Sequence, residues 1–273
     1  MPLRIFIVGT VTVSAERTLV EADLHGPQGR LVFAMLVAEH RRPVGRDEMA
    51  EELWPDAVPA AWDTAIRVLV SRIRASLRSV ATAPVELIES AIGGYQFRLP
   101  SDGWIDLDEV SAAMHRAEAE LGAGLIEAAG ASALVANMIA TRPFLPGADG
   151  PWATSTRERI RDTRLRALEC LAEVWLAKGD HGQASRDAEA ILRLDPYREP
   201  AHRLLMRTYA AAGDRASAAR AYRACRELLA ADLGVQPYGR RTKFGRSAAD
   251  PMEMAVFTFL VGSARFVLSS DHG

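Results

Sequence analysis

Lysine is nearly absent from this chain: Lys178 and Lys243 are the only two among 33 basic residues, so positive charge rests almost wholly on arginine. The 35 acidic residues bring the formal net charge to −2, which excludes a global positive field and requires any polyanion-binding surface to be a local patch. Cysteine is equally scarce. Cys170 and Cys225 both lie in helical, apolar patterns, which excludes a disulfide framework and reads as two reduced core residues of an intracellular protein. The N-terminal MPLRIFIVGTVTV lacks a small-residue cleavage site and reads as a strand. No apolar run is long and uncharged enough to make a convincing membrane span, so the expected location is cytoplasmic, away from membranes. Enzyme signatures are also missing: there is no phosphate loop with its lysine, no His-Glu-x-x-His pair, no Gly-x-Ser-x-Gly elbow and no clustered Cys-His spacing. His25, His40, His115, His181, His202 and His272 are scattered. The expectation is a protein that is not an enzyme, with no catalytic residues, no metal and no cofactor.

What is present is length enough, at 273 residues, for two ordinary domains. Leu3 to Val13 is rich in Ile, Val, Phe and Thr and is broken by Gly9, which predicts one or two short strands. Gln28 to His40 is apolar around most of its circumference and predicts a buried helix. Arg46 to Trp54 predicts a short helix with Met49 and Leu53 one turn apart, stopped by Pro55. A longer helix, Ala60 to Arg78, follows. Glu86 to Glu89 and Tyr95 to Leu99 then flank Gly93-Gly94 as a hairpin.

The Ala60 to Arg78 helix is the stretch around which the rest is organised. Ile66, Leu69, Val70, Ile73 and Leu77 fall on one face, and Arg67, Ser71, Arg74 and Arg78 form a second stripe about a quarter turn away. A recognition helix in a DNA major groove needs such a packed face beside a cationic one. A solvated amphipathic helix has the same spacing, and the order of neighbouring elements favours the first reading. Strand, helix, helix, long helix and hairpin make a winged helix-turn-helix. Asp63 and Thr64 are positioned to cap the helix, and Thr64 is also placed to bond a phosphate. Val68 points either to a thymine methyl or into packing against the wing.

Beyond Trp104 the composition changes to long alanine-rich helices, with Asp106 or Asp108 placed to cap the first. Gly179-Asp180 recurs as Gly213-Asp214, Ala184 as Ala218 and Trp175 as Tyr209, and Asp195-Pro196 closes the first unit. That spacing is the tetratricopeptide period, in which helix pairs stack because neither buries its apolar face alone. Leu121 to Leu145 has room for an earlier, degenerate pair. The fold class read from these patterns is mainly α: an N-terminal α+β winged helix-turn-helix followed by an all-α tetratricopeptide-like domain.

The details GPQGRLVFAMLV, DEMAEELWP, VLVSRIR and GGY in Leu3 to Leu99 resemble the OmpR-type winged helix as found in the Streptomyces antibiotic regulatory protein family. Trp104 to Pro237, ending in LGVQP, is similar to the bacterial transcriptional activator domain of the same family. The resemblance divides the chain into a DNA-binding domain at 1–100, an activator domain at 104–237 and a divergent tail at 238–273. It implies an activator of an antibiotic or other secondary-metabolite gene cluster. Such an activator binds direct repeats in double-stranded DNA, associates head to tail there and recruits RNA polymerase holoenzyme. It also implies the contacts: Arg67, Arg72 and Arg74 first, then Ser71 and Arg78, with Thr64 near the helix start and Gly94, Tyr95 and Arg98 in the wing. The wing departs from the family, which commonly carries a basic residue before the turn where this chain has Glu89-Ser90-Ala91-Ile92. The alternative is a tetratricopeptide-like scaffold or ligand-responsive regulator with weak or lost DNA binding. Asp47-Glu48 and Glu51-Glu52 form an acidic run that suits either a solvated face or a basic surface of RNA polymerase.

Overall fold

The computed structural model of the chain describes residues 2–80 and 86–233. The tail beyond Pro237 lies outside the described residues. Compactness divides the chain into Met1–Arg116 with Ser132–Arg164, and Ala117–Ala131 with Leu165 onward, a grouping different from the composition change near residue 100.

In the first unit, strands β1 (Arg4–Phe6) and β2 (Thr12–Ser14) flank Gly9, whose φ of 99° supplies the turn. β3 (Thr18–Val20) extends the sheet beyond the one or two strands expected over Leu3 to Val13, because Val13 pairs with Leu19 across a tight reversal and both side chains are buried. Helix α1 (Gly26–Ala38) buries every residue from Leu31 to Val37, as its all-round apolar pattern predicts. β4 (Val44–Gly45), α2 (Arg46–Leu53) and α3 (Trp62–Arg78) follow. α3 buries Ile66, Val70, Ile73 and Leu77, whereas Leu69 is only half-buried at the edge of the face. Each such aliphatic side chain contributes roughly 1.5–3 kcal/mol when fully buried.

The hairpin forms from β5 (Ile88–Ala91) and β6 (Gly94–Phe97), shifted towards the turn from the predicted spans. Ala91 pairs with Gly94, leaving Ile92-Gly93 as a two-residue turn with Gly93 at φ 76°. β4 pairs with β6, while β7 (Trp104–Ile105) runs parallel to β1, giving sheets ordered β3-β2-β1-β7 and β4-β6-β5.

Helices α4 (Asp106–Gly122), α5 (Ile126–Ala140) and α6 (Pro151–Ala177) each contribute to both units. A single helix, α5, occupies the stretch that had room for a degenerate pair. In the first unit, Val110, Ile139, Phe144, Leu145 and Ile160 share one apolar cluster with the strands and α1 to α3. Polar groups fix this packing. Asp106, the fully buried first residue of α4, accepts hydrogen bonds from Ile7 N at 2.9 Å and Val8 N at 3.0 Å, and burial pushes its carboxyl up to about 6. Asp108 faces His40 and Arg41. Glu52, buried at the end of α2, caps α6 by accepting from Trp152 N at 2.8 Å and Ala153 N at 3.0 Å. A Cβ on Gly150 would lie 2.3 Å from the Glu52 carboxyl carbon, so this cap requires glycine there.

In the second unit, α7 (His181–Leu194), α8 (Glu199–Ala211) and α9 (Arg215–Leu233) continue the helical array. The predicted repeat is visible atom by atom. Gly179 and Gly213 have φ of 78° and 77°, Asp180 N and Asp214 N donate to Trp175 O and Tyr209 O, and Ala184 and Ala218 are buried. Each aspartate then caps its helix, Asp180 accepting from Gln183 N and Asp214 from Ser217 N, both at 2.9 Å. Arg207 pairs with Glu173, 34 residues earlier, which joins equivalent positions of successive repeats. Cys170 and Cys225 are both buried, and neither is in a disulfide among the described residues. Burial, reinforced by Glu118, Glu120 and Glu173, pushes the Cys170 thiol up to about 11.

Candidate nucleic-acid interface

The outer face of α3 presents Thr64, Arg67, Val68, Ser71, Arg72 and Arg78 to solvent. Val68 is 45% exposed, so packing against the wing is not its role. The amino end of the helix has no side-chain cap. Asp63, expected there as a cap, instead spans two guanidinium groups, Arg46 Nε at 2.9 Å and Arg67 Nε at 2.8 Å. Its charge also sits favourably at the positive end of the helix dipole.

Arg74 differs from the rest of the arginine stripe. It donates from Nε to Ile88 O at 3.0 Å and from Nη2 to Ser90 Oγ at 3.2 Å, lies 3.3 Å from Glu86 and stacks 5.5 Å above the Tyr95 ring. Four interactions from one guanidinium fasten α3 to the hairpin. Tyr95 is buried beneath it. Gly94 is also structural: a Cβ there would fall 1.9 Å from Val44 O, so glycine alone permits the β4–β6 pairing. Arg98 pairs with Glu89 at 2.7 Å, and Arg78 lies 4.0 Å from Glu86. Arg72 is exposed and has no hydrogen-bond or ion-pair partner among the described residues.

The candidate residues therefore separate by position. Thr64, Arg67, Ser71, Arg72 and Arg78 share an accessible face of α3, Arg74 and Tyr95 build the joint between helix and wing, Gly94 permits the β4–β6 pairing, and Arg98 follows β6 paired with Glu89. Asp63, expected as a cap, and Glu86, expected only as a strand residue, each hold arginines of this region. The i,i+4 spacing of Asp63 and Arg67 was a readable signal; the pairing of Asp63 with Arg46 was not, because it depends on how α2 crosses α3.

The acidic run on α2 is likewise divided. Glu52 is the buried cap of α6. Glu48 bonds Arg42 at 2.9 and 2.6 Å, and that guanidinium holds its carboxyl below the usual range. Asp47 and Glu51 remain exposed. Among the described residues no helix is long and apolar enough to cross a membrane.

Residues 25–97 match the family described as transcriptional regulatory protein, C terminal, and residues 105–245 match the bacterial transcriptional activator domain. Regulatory protein AfsR of Streptomyces coelicolor is 32% identical over 211 residues, covering 77% of this chain and 21% of that protein. Transcriptional regulatory protein EmbR of Mycobacterium tuberculosis is 30% identical over 220 residues, covering 77% of this chain and 54% of that one. The chain thus spans about a fifth of the first relative and about half of the second. A solved structure of M. tuberculosis EmbR in complex with a low affinity phosphopeptide superposes with a TM-score of 0.78 at 23% identity, over 97% of this chain and 70% of that one. That likeness is one of fold.

Proposed function

The chain belongs to the Streptomyces antibiotic regulatory protein family, which joins an OmpR-type winged helix to a bacterial transcriptional activator domain, and from that premise we propose that it is a cytoplasmic, sequence-specific activator of a secondary-metabolite gene cluster. The observation that carries the proposal is the exposed face of α3, which holds Thr64 and Ser71 and on which Arg72 has no partner among the described residues. A guanidinium in the major groove bonds guanine O6 and N7 together, an interaction of about 1–3 kcal/mol in discrimination. Arg67 and Arg78 exchange their own carboxylates for phosphates, and the Ser71 and Thr64 hydroxyls add phosphate bonds that set register. Residues 1–100 supply this DNA-binding module and residues 104–237 the activator domain.

Direct repeats in the DNA place successive protomers head to tail, a heterologous arrangement distinct from the two-fold dimers that palindromes require. Asp47 and Glu51, the two α2 carboxylates left in solvent, suit a basic surface of RNA polymerase holoenzyme. Footprinting on DNA upstream of the neighbouring genes tests the reading. Two protected blocks in the same orientation, with transcription rising when holoenzyme is added, are expected. Absence of protection by folded protein favours the scaffold reading. The observation on that side is that Arg67, Arg74, Arg78 and Arg98 all lie beside the protein's own carboxylates.

A further inference from the structure

Ile92 occupies the first position of the β5–β6 turn with a relative exposure of 105%, while Ile66, Ile73 and Ile88 of the same region are buried. Arg74 bonds β5 at Ile88 and Ser90 and stacks on Tyr95 of β6, which fixes the turn relative to α3. From Ile88 to Phe97 the hairpin has no basic residue, and its one acid, Glu89, is neutralised by Arg98. The tip is slender: nothing approaches within 4 Å of where a Gly93 Cβ would stand, and Ala91 precedes Ile92. A hairpin without a free cation cannot grip DNA by neutralising phosphates. What it presents is a single branched aliphatic side chain on a narrow stem.

Resting on the DNA-binding reading of α3, we propose that Ile92 is a specificity-determining residue that enters the minor groove beside the α3 site and selects A·T over G·C pairs by shape. The minor groove is only about 6 Å wide, and its floor at G·C pairs differs from that at A·T pairs by the protruding guanine 2-amino group. An aliphatic side chain packs against the smooth A·T floor and sugar walls. Against the amino group it has no acceptor to offer, so a polar donor is left unpaired and the packing is lost. Unlike a cation in the groove, this contact releases no counterion.

The experiment uses the full chain and duplexes holding its footprinted site, with each flanking pair set to A·T, G·C or inosine·C. Inosine lacks the 2-amino group yet keeps the major-groove edge of guanine. At one flanking position the wild-type chain binds A·T and inosine·C duplexes roughly 3–10-fold tighter than the G·C duplex. Ile92→Ala erases that preference without changing the salt dependence or the circular dichroism spectrum. Ile92→Arg steepens the log–log salt slope by about 1. Site-selective binding that is indifferent to inosine at every flank, or a preference that survives in Ile92→Ala, overturns the proposal while leaving the α3 reading intact. Loss of all site selectivity in the wild-type chain overturns both.

Discussion

Arginine meets carboxylate both in the α3–wing region and in the repeats, but the pairs do different things. In the repeats, Arg207 with Glu173 and Arg198 with Glu169 tie α8 and the residue before it to α6, so the cations are structural. On α3 the pairs are divided. Arg74 is a structural joint, Arg67 is held by a carboxylate on its own helix and Arg72 is held by nothing described. The comparison teaches that an arginine stripe is not a count of available charge. What distinguishes an interface from a packed face is which guanidinium groups the fold leaves uncommitted.

The glycines sharpen that contrast with the largest expected effect. Gly94→Ala drives a methyl into Val44 O and should destabilise the winged unit by about 3 kcal/mol in urea unfolding. Gly182→Ala in α7 meets only ordinary contacts at 3.6 Å and beyond, and should be neutral or stabilise by about 0.5 kcal/mol. Equal effects at the two sites would break the distinction.

Next come the two arginines. Arg74→Ala removes the bonds to Ile88 and Ser90 and should lower stability by about 2 kcal/mol, with Arg74→Lys failing to restore it because an ammonium cannot stack and fork together. Arg72→Ala should leave the melting temperature unchanged and weaken DNA binding by about 1–3 kcal/mol. A stable Arg74→Ala protein whose DNA affinity alone falls would return Arg74 to the base-reading group.

Each region also contains a buried carboxylate raised by desolvation, Asp106 in the first unit and Asp187 in the repeats. For Asp106 the folded state holds its proton more tightly than the unfolded chain. Its stabilising contribution is full below the ordinary value near 3.8 and is lost as pH rises through about 6. Lowering the pH from about 7 to about 5 should therefore stabilise the wild-type chain by about 1 kcal/mol through this group. Asp106→Asn should flatten that part of the stability profile. Smallest of all, Glu173→Ala should cost less than about 1 kcal/mol, since the pair with Arg207 is partly exposed.

How far the fold was legible follows the range of the interactions involved. The repeats were readable in detail because Gly-Asp turns, caps and the 34-residue period are local signals that recur. α1, α2 and α3 were readable from periodicity, with the ends displaced by one or two residues. The hairpin was recognisable from Gly93-Gly94, but its register was displaced because the Ala91–Gly94 pairing is set by β4, distant in sequence. β3 and β7 are three and two residues long, too short for alternation to mark them. Least legible were the polar clamps. Asp106 on the segment after β1, Glu52 on α6 and Asp63 on Arg46 each join residues brought together only by the tertiary fold, and α3 lacks the side-chain cap expected of Asp63. In the candidate site, the exposure of Arg67, Ser71, Arg72 and Arg78 was readable from helical spacing, and the commitment of Arg74 to the wing was not.

The most direct test is a salt titration of DNA binding by the intact chain, with unrelated DNA as control. Site-selective binding that weakens with a log–log slope of about −4 or steeper means several phosphate contacts made by a working winged helix, with Arg67 and Arg78 released from their carboxylates to DNA. A folded chain that binds neither DNA at low salt would contradict the account, leaving α3 as a self-paired surface helix on a scaffold.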